Sequence, residues 1–424
     1  MKYIYTLLLT IPLLFTSCLK DQDDVFDKSS PERMQEALDN AMEILTNAEN
    51  GWRMDMFPSK TRDYGGYTLF LDFNKEVVKA ASELSDPSYT EESEWELKAS
   101  SGPVLSFSDN NSLIHFFSGP NKGVGAYDTG LGGDYDFIIL EATKDRIKLK
   151  GTKTGNINYL TPIGADENWT ELMTKYQDAV YKMQWEMLEY QVNDKQYSAN
   201  VSYNTFIITY AGEDGKIIQE VLPYIFTLDG IRFYEPFNID GVEVSEMIYK
   251  DEGELKYFED VNGSGARFVV QILPLMQQFL QSSWYFSYSN MGDLGKLYWQ
   301  NAYTILYGQR GFELYYAYLG IRNGRFGFHA NASNYSGSLY YDTEVISEDE
   351  VKLKFVWDGD ANGIAFYNSY GFNYYIAGLG SSEKNYTIAA DNPDKPQYIT
   401  ITDKSNPNNS YTLSKSMVSY PYKN

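Results

Sequence analysis

Most of this chain is written in short apolar and aromatic runs, each cut off by glycine, asparagine, aspartate or serine. Tyr67-Thr68-Leu69-Phe70-Leu71-Asp72-Phe73, Trp95-Glu96-Leu97-Lys98, Val104-Leu105-Ser106-Phe107, Leu113-Ile114-His115-Phe116 and Thr205-Phe206-Ile207-Ile208-Thr209-Tyr210 are examples. Runs this short are rich in residues that fit a pleated, half-buried surface, and the residues between them let a strand reverse. The expectation is a mainly β (α+β) protein, with antiparallel sheets or barrel-like modules and two or three amphipathic packing helices. At 424 residues, 43% of them hydrophobic, there is enough apolar mass for several packed domains.

Three segments break the β pattern. After Ser30, a capping residue, come Pro31 and Glu32, which suit a first helical turn, and Met34, Leu38, Ala41 and Leu45 then fall on one stripe before Gly51. A second helix is expected from a cap at Asp166, with Trp169, Leu172, Met173, Tyr176, Val180, Met183 and Met187 on one face as far as about Tyr190. A third is opened by Pro274 and carries Leu275, Met276, Phe279 and Leu280. The chain therefore reads as three helix-then-sheet modules over 30–165, 166–265 and 266–424. The first and last share an Asp-X-X-Lys-Leu-Lys run, Asp145–Lys150 and Asp349–Lys354, and a tryptophan just after a helix, Trp52 or Trp284.

The front of the chain is an address. Lys2 precedes an apolar run from Ile4 to Phe15, too short to span a bilayer but suited to a secretory signal, and Leu14-Phe15-Thr16-Ser17 lead into the only cysteine. This resembles a bacterial lipobox, with Phe15 where leucine is usual. It predicts cleavage after residue 17 and acylation of Cys18. The tether 18–29 that follows is acidic, and Lys20, Asp21, Asp23 and Asp24 resemble the signal that sends Bacteroidetes lipoproteins to the cell surface. A lipid-anchored outer-membrane surface protein is expected.

Aspartate and glutamate outnumber lysine and arginine by 58 to 35, a net charge of −23, which disfavours nucleic acid as a partner. Asp358-Gly359-Asp360-Ala361-Asn362-Gly363 reproduces the first half of a calcium loop, making Asp358, Asp360 and Asn362 candidate ligands, but Phe366 and Ser369 stand where the later ligands belong. A hairpin turn is the simpler expectation for that segment. The glycine-rich stretch from Gly119 to Asp136 reads as a connection or ligand-contact loop with Asp134 and Asp136 on its polar side. His115 and His329 sit in strand-like surroundings and are expected to be hydrogen-bonded structural residues, because no nucleophile elbow or zinc motif accompanies them.

The 38 tyrosines, 23 phenylalanines and 7 tryptophans are the most unusual part of the composition. Alternation sends most of them inward or into cross-strand pairs. Those left outside offer flat apolar faces with polar tips, suited to sugar rings or peptide side chains. Trp284, Tyr285, Tyr315, Tyr316, Tyr367, Tyr370 and Tyr374 are the candidate ligand-binding residues.

The order of lipobox, amphipathic helix, Gly51-Trp52, Gly65-Gly66-Tyr67, Val104-Leu105-Ser106-Phe107, Gly132-Gly133-Asp134-Tyr135-Asp136-Phe137 and Ile147-Lys148-Leu149-Lys150-Gly151 resembles an uncharacterised Bacteroidetes lipoprotein family, domain of unknown function 4302. The resemblance is strongest over about residues 30 to 165. It implies an accessory lipoprotein encoded near outer-membrane nutrient transporters of the starch-utilisation type and zinc peptidases, and it brings no catalytic residues. The functional expectation is a non-catalytic binding component of a nutrient-uptake system, capturing glycan or peptide beside an outer-membrane transporter and its lid lipoprotein. Its rivals are an extracellular hydrolase, glycosidase or peptidase, and a structural or adhesive surface protein.

Overall fold

The computed structural model describes residues 28–108, 110–120, 125, 129–212 and 215–423. Cys18, the segment Lys20 to Asp24 and part of the glycine-rich loop lie outside the described residues. The chain divides into two compact units, the first ending at Gln271 and the second running from Ile272 to Asn424. The fold is mainly β and antiparallel, as expected.

In the first unit, helix α1 (Ser30–Thr46) starts from Ser29, whose side chain accepts the Glu32 N–H while Glu32 reaches back, a capping box one residue earlier than the Ser30 start. Nine strands follow, β1 (Trp52–Met56), β2 (Tyr67–Phe73), β3 (Val77–Ser82), β4 (Glu91–Glu94), β5 (Glu96–Ala99), β6 (Pro103–Ser106), β7 (Asp136–Ala142), β8 (Ile147–Gly151) and β9 (Ile157–Pro162). They form one sheet in the order β4-β3-β2-β1-β9-β8-β7-β6-β5. Strand β2 is buried on both faces. Leu69, Leu71 and Phe73 join Ala41 and Leu45 of α1 in one core, while Phe70 turns the other way to Leu172, Met173 and Tyr176 of helix α2 (Trp169–Met183). Burial on both sides is why this strand is a nearly continuous apolar run.

Helix α2 is capped by Asn168, whose side chain accepts the Glu171 N–H, and it ends at Met183, shorter than its stripe suggests. Met187 and Tyr190 belong instead to β10 (Met187–Val192), where Leu188, Tyr190 and Val192 alternate inward. With β11 (Lys195–Ser202), β12 (Thr205–Ala211), β13 (Ile217–Phe226), β14 (Gly230–Ile239), β15 (Val242–Glu252), β16 (Leu255–Asp260) and β17 (Arg267–Val270), β10 closes an eight-stranded barrel. Aromatic rings fill it. Phe206 lies 4.3 Å from Phe268 and 4.5 Å from Tyr224, and Tyr190 lies 4.6 Å from Phe268, distances at which rings pack edge to face or offset.

The second unit opens with helix α3 (Leu275–Gln281), which starts at Pro274 as expected, and builds a second closed barrel. Its strands are β18 (Trp284–Tyr285), β19 (Leu314–Arg322), β20 (Arg325–Ala332), β21 (Tyr335–Val345), β22 (Glu350–Gly359), β23 (Glu383–Ala390), β24 (Tyr398–Asp403) and β25 (Ser410–Ser414). Helices α4 (Asp293–Tyr303), α5 (Ala361–Ser369) and α6 (Phe372–Leu379) share its core through Trp299, Phe366, Phe372, Tyr375 and Ile376. Trp52 and Trp284 do mark a common device: each donates its indole N–H to a carbonyl of the preceding helix, Leu45 at 3.1 Å and Phe279 at 3.0 Å.

Four local expectations are corrected. Leu113 to Phe116 are a turn rather than a strand, because the Asn111 carboxamide oxygen accepts the Leu113 and Ile114 N–H groups at 3.1 and 3.2 Å, an alternative to ladder pairing. The aromatic residues from Phe366 to Tyr375, for which strand alternation is the general expectation, lie instead in and between α5 and α6. Asp358 to Gly363 are a strand end followed by a helix start, with Asp360 as the cap, rather than a hairpin turn. Asp134 is buried, not on a polar face, and its carboxylate accepts the Lys153 N–H at 2.6 Å and the Thr154 N–H at 3.2 Å, pinning the turn between β8 and β9.

Candidate functional site

The ends of β21 and β22 carry the most unusual side-chain placement in the second unit. Along β22, Val351, Leu353 and Phe355 point into the core, and unbroken alternation would send Trp357 in behind them. The ladder breaks there. Tyr341 pairs with Phe355 and Leu339 with Gly359, leaving Tyr340 alone opposite Val356, Trp357 and Asp358. This bulge puts Trp357 at φ +57°, a left-handed backbone rare for a bulky residue, and turns its side chain out to 65% exposure. Of the seven tryptophans it alone is exposed.

The indole does not stand alone. Its centroid is 5.3 Å from Phe355 and 5.6 Å from Tyr367 of α5, with Tyr367 nearly perpendicular to it at 77°. Burial raises the Tyr367 phenol above its ordinary pKa, so it stays a neutral hydrogen-bonding group. Beside Trp357, the Asp358 carboxylate accepts from Arg325 Nη1 at 2.6 Å and from the Gly359 N–H at 2.8 Å, and these bonds hold it below the usual carboxylate range. The Arg325 guanidinium lies 4.0 Å above the Tyr340 ring. The result is an exposed aromatic ring with an edge-on phenol against it, followed directly in the chain by a carboxylate that is paired with a guanidinium.

The proposed calcium ligands are not brought together. Asp358 is engaged by Arg325, Asp360 accepts the Gly363 N–H at 2.7 Å as the α5 cap, and Asn362 donates to the Ser336 carbonyl at 2.8 Å. Among the described residues no group of three histidine, cysteine, aspartate or glutamate side chains is placed to hold a metal ion.

The seven candidate aromatic residues are dispersed. Trp284 is fully buried in the core, which corrects its assignment to a binding surface: its position two residues before Phe286 on an inward path outweighs its polar tip. Tyr285 and Tyr316 do meet, at 6.2 Å, with Tyr318 5.2 Å from Tyr285. Tyr315 packs on Tyr420 at 5.4 Å, Tyr370 on Phe312 at 4.9 Å, and Tyr374 lies half-buried against the core. Tyr367 alone reaches Trp357. Trp357 itself was missed because alternation hides it; the Asp-Gly that follows it, a turn-forming pair at a strand end, was the available signal.

His115 stacks on Tyr135 at 5.5 Å. His329 is buried, with Nε2 3.0 Å from the Gly320 carbonyl, and burial pushes its pKa down to about 4. It is therefore neutral near pH 7 and donates Nε2–H to that carbonyl.

The chain belongs to the family described as Domain of unknown function (DUF4302), whose sequence model matches residues 22–251. That span covers α1, the nine-stranded sheet, α2 and most of the first barrel; Trp357 lies beyond it. No curated protein sequence matches the chain. Among solved structures, a DnaN sliding clamp from Pseudomonas aeruginosa bound to griselimycin aligns at 10% identity over 90% of this chain and 97% of that one, with a TM-score of 0.12. The Helicobacter pylori beta clamp bound to a DNA ligase peptide aligns at 10% identity over 91% and 98% with the same score of 0.12. The Thermotoga maritima DNA polymerase III beta subunit aligns at 8% identity over 91% and 98%, again at 0.12. Scores this low carry no inference about fold or function.

Proposed function

We propose that this protein is a lipid-anchored outer-membrane lipoprotein displayed on the cell surface, and that it serves as a non-catalytic binding component for glycan uptake. The reading of its address rests on the sequence from Lys2 to Asp24, with Cys18 as the acylated residue. The reading of its binding role rests on one observation above all: Trp357 is held out of the core by a bulge at a strained φ, beside Tyr367 and the Asp358–Arg325 pair.

An exposed large aromatic ring costs hydration, and a left-handed tryptophan costs backbone energy; strain of this kind clusters where a side chain is needed outside. A flat indole face suits the apolar face of a sugar ring, and Asp358 and Arg325 can take up hydroxyl groups at its edge. Contacts of this kind are weak singly and gain strength from many copies on one membrane, which fits a protein that concentrates cargo for a transporter and its lid lipoprotein.

The test is affinity electrophoresis of the full chain and of Trp357→Ala through gels containing soluble polysaccharides. Retardation by at least one glycan, lost in Trp357→Ala, is expected. A chain that no glycan retards, or a variant retarded as strongly as the parent, would overturn the binding reading. Membrane fractionation of Cys18→Ala tests the anchor separately, with release from the outer membrane expected.

A further inference from the structure

We infer that a second site in the C-terminal unit, away from the Trp357 platform, binds a small organic ammonium ion, and that Lys423 of the chain itself competes with that ion for Glu313 and the Tyr420 ring.

The site is a cavity of about 170 Å³ beneath the last residues of the chain, walled by Tyr288, Tyr303, Tyr420 and Tyr422, with Glu313 and Lys423 at its edge. Its rings are fixed. The Tyr422 hydroxyl donates to the Trp299 carbonyl at 2.7 Å and meets the Tyr375 hydroxyl at 2.8 Å, while Tyr303 and Tyr288 lie 4.4 and 5.5 Å from the Tyr422 ring. Tyr420 sits at φ +53°, and its N–H donates to the Tyr315 carbonyl at 2.7 Å, so the backbone that presents its ring is strained and anchored. The Lys423 N–H donates to the Tyr420 carbonyl at 2.8 Å, which folds the lysine back over the cavity.

Aromatic rings around a void, with one carboxylate, form the surroundings in which a cation is favoured over a neutral molecule. The chain already places one there. Lys423 Nζ is 2.5 Å from Glu313 Oε1 and 4.5 Å from the Tyr420 ring centroid. Its side chain is 66% exposed, and an exposed ion pair of this kind is close to thermoneutral. A ligand ammonium that enters among the rings therefore displaces it at small cost and gains the desolvated contacts that Lys423 makes only at the rim. The volume limits the ligand: a cavity of ~150 Å³ admits a benzene-sized molecule. A polymer does not fit; a compact amine does.

The test is isothermal titration of the full chain with choline, and with 3,3-dimethylbutan-1-ol as its uncharged isostere. Lys423→Met keeps the stem and removes the competing charge, and choline is expected to bind it about two- to fivefold more tightly than the parent. Glu313→Gln is expected to weaken choline binding about tenfold, and the isostere is expected to bind no variant measurably. The Lys423 side chain is 66% exposed, so Lys423→Met is expected to fold as the parent does. Equal binding of choline and the isostere, or a Lys423→Met chain that binds choline no better than the parent, would overturn the inference. Neither outcome bears on glycan binding at Trp357.

Discussion

At the scale of single residues, the molecule's most telling feature is a tryptophan on the wrong side of its own strand. Side chains alternate with period two, so a register slip exchanges the two faces, and the bulge opposite Tyr340 is such a slip confined to a few residues. In the proposed role, Trp357 serves binding at the expense of stability. Glycine adopts φ +57° without the ~1–2 kcal/mol that a left-handed conformation costs a residue with a Cβ, and the 65% exposed indole gives up little burial. Trp357→Gly is therefore expected to unfold in urea with a free energy equal to the parent's or up to about 1 kcal/mol higher, while losing glycan retardation. A loss of more than about 1 kcal/mol would mean that the ring serves packing. None of this was legible in the alternation of Val351, Leu353, Phe355 and Trp357, which points the wrong way because a bulge is specified by the partner strand.

At the scale of elements, the first unit's sheet is sandwiched between α1 and α2, and its second face buries charge. Asp55 on β1 is 4% exposed; it is paired with Arg232 of β14 and lies 3.6 Å from Arg53, whose Nη1 donates to Tyr176 of α2 at 2.6 Å. Glu83, just past β3, is buried nearby, with Oε2 unpartnered and with its main-chain carbonyl held by Gln177 of α2 at 2.9 Å. Burial first, and the Asp55 charge in addition, push the Glu83 carboxyl up from 4.5 to about 7. The folded state thus keeps a proton that the unfolded chain gives up near pH 4.5. Its stabilising effect is complete below that pH and is lost as pH rises through about 7, a span of up to about 3 kcal/mol. Glu83→Gln is expected to be more stable than the parent at pH 8 and equal to it at pH 4, by urea denaturation at both values. An equal effect at both would show that the carboxyl titrates normally. The helices themselves were mostly legible. The α1 stripe of Met34, Leu38, Ala41 and Leu45 needed only local spacing, whereas the α2 stripe ran on into β10 because Met187 fits period 3.6 by coincidence while Leu188, Tyr190 and Val192 fit period two.

At the scale of the whole molecule, each compact unit has its own core, and each buries a group whose pKa is shifted towards the neutral form. His329 in the second unit is held neutral, its pKa lowered from 6.5 to about 4, so the stability it permits is present above 6.5 and lost as pH falls towards 4. Glu83 in the first unit acts with the opposite sign. Calorimetry of the full chain is expected to show two transitions that move in opposite directions between pH 7.5 and 5, the one assigned to the first unit rising and the other falling. A single transition, or two that shift together, would sink this prediction. Fold class was fixed locally: turn residues between short aromatic runs dictate antiparallel β structure, and the spacing of Leu38, Ala41 and Leu45 dictates a packing helix. Tertiary structure alone decided the rest. Closing β18 onto β25, turning the aromatic run from Phe366 to Tyr375 into two helices that fill a barrel core, and turning Trp357 outward all depend on which distant segments meet. Local periodicity records which residues are apolar; it does not record which strand lies opposite, and that pairing sets the face on which each side chain emerges.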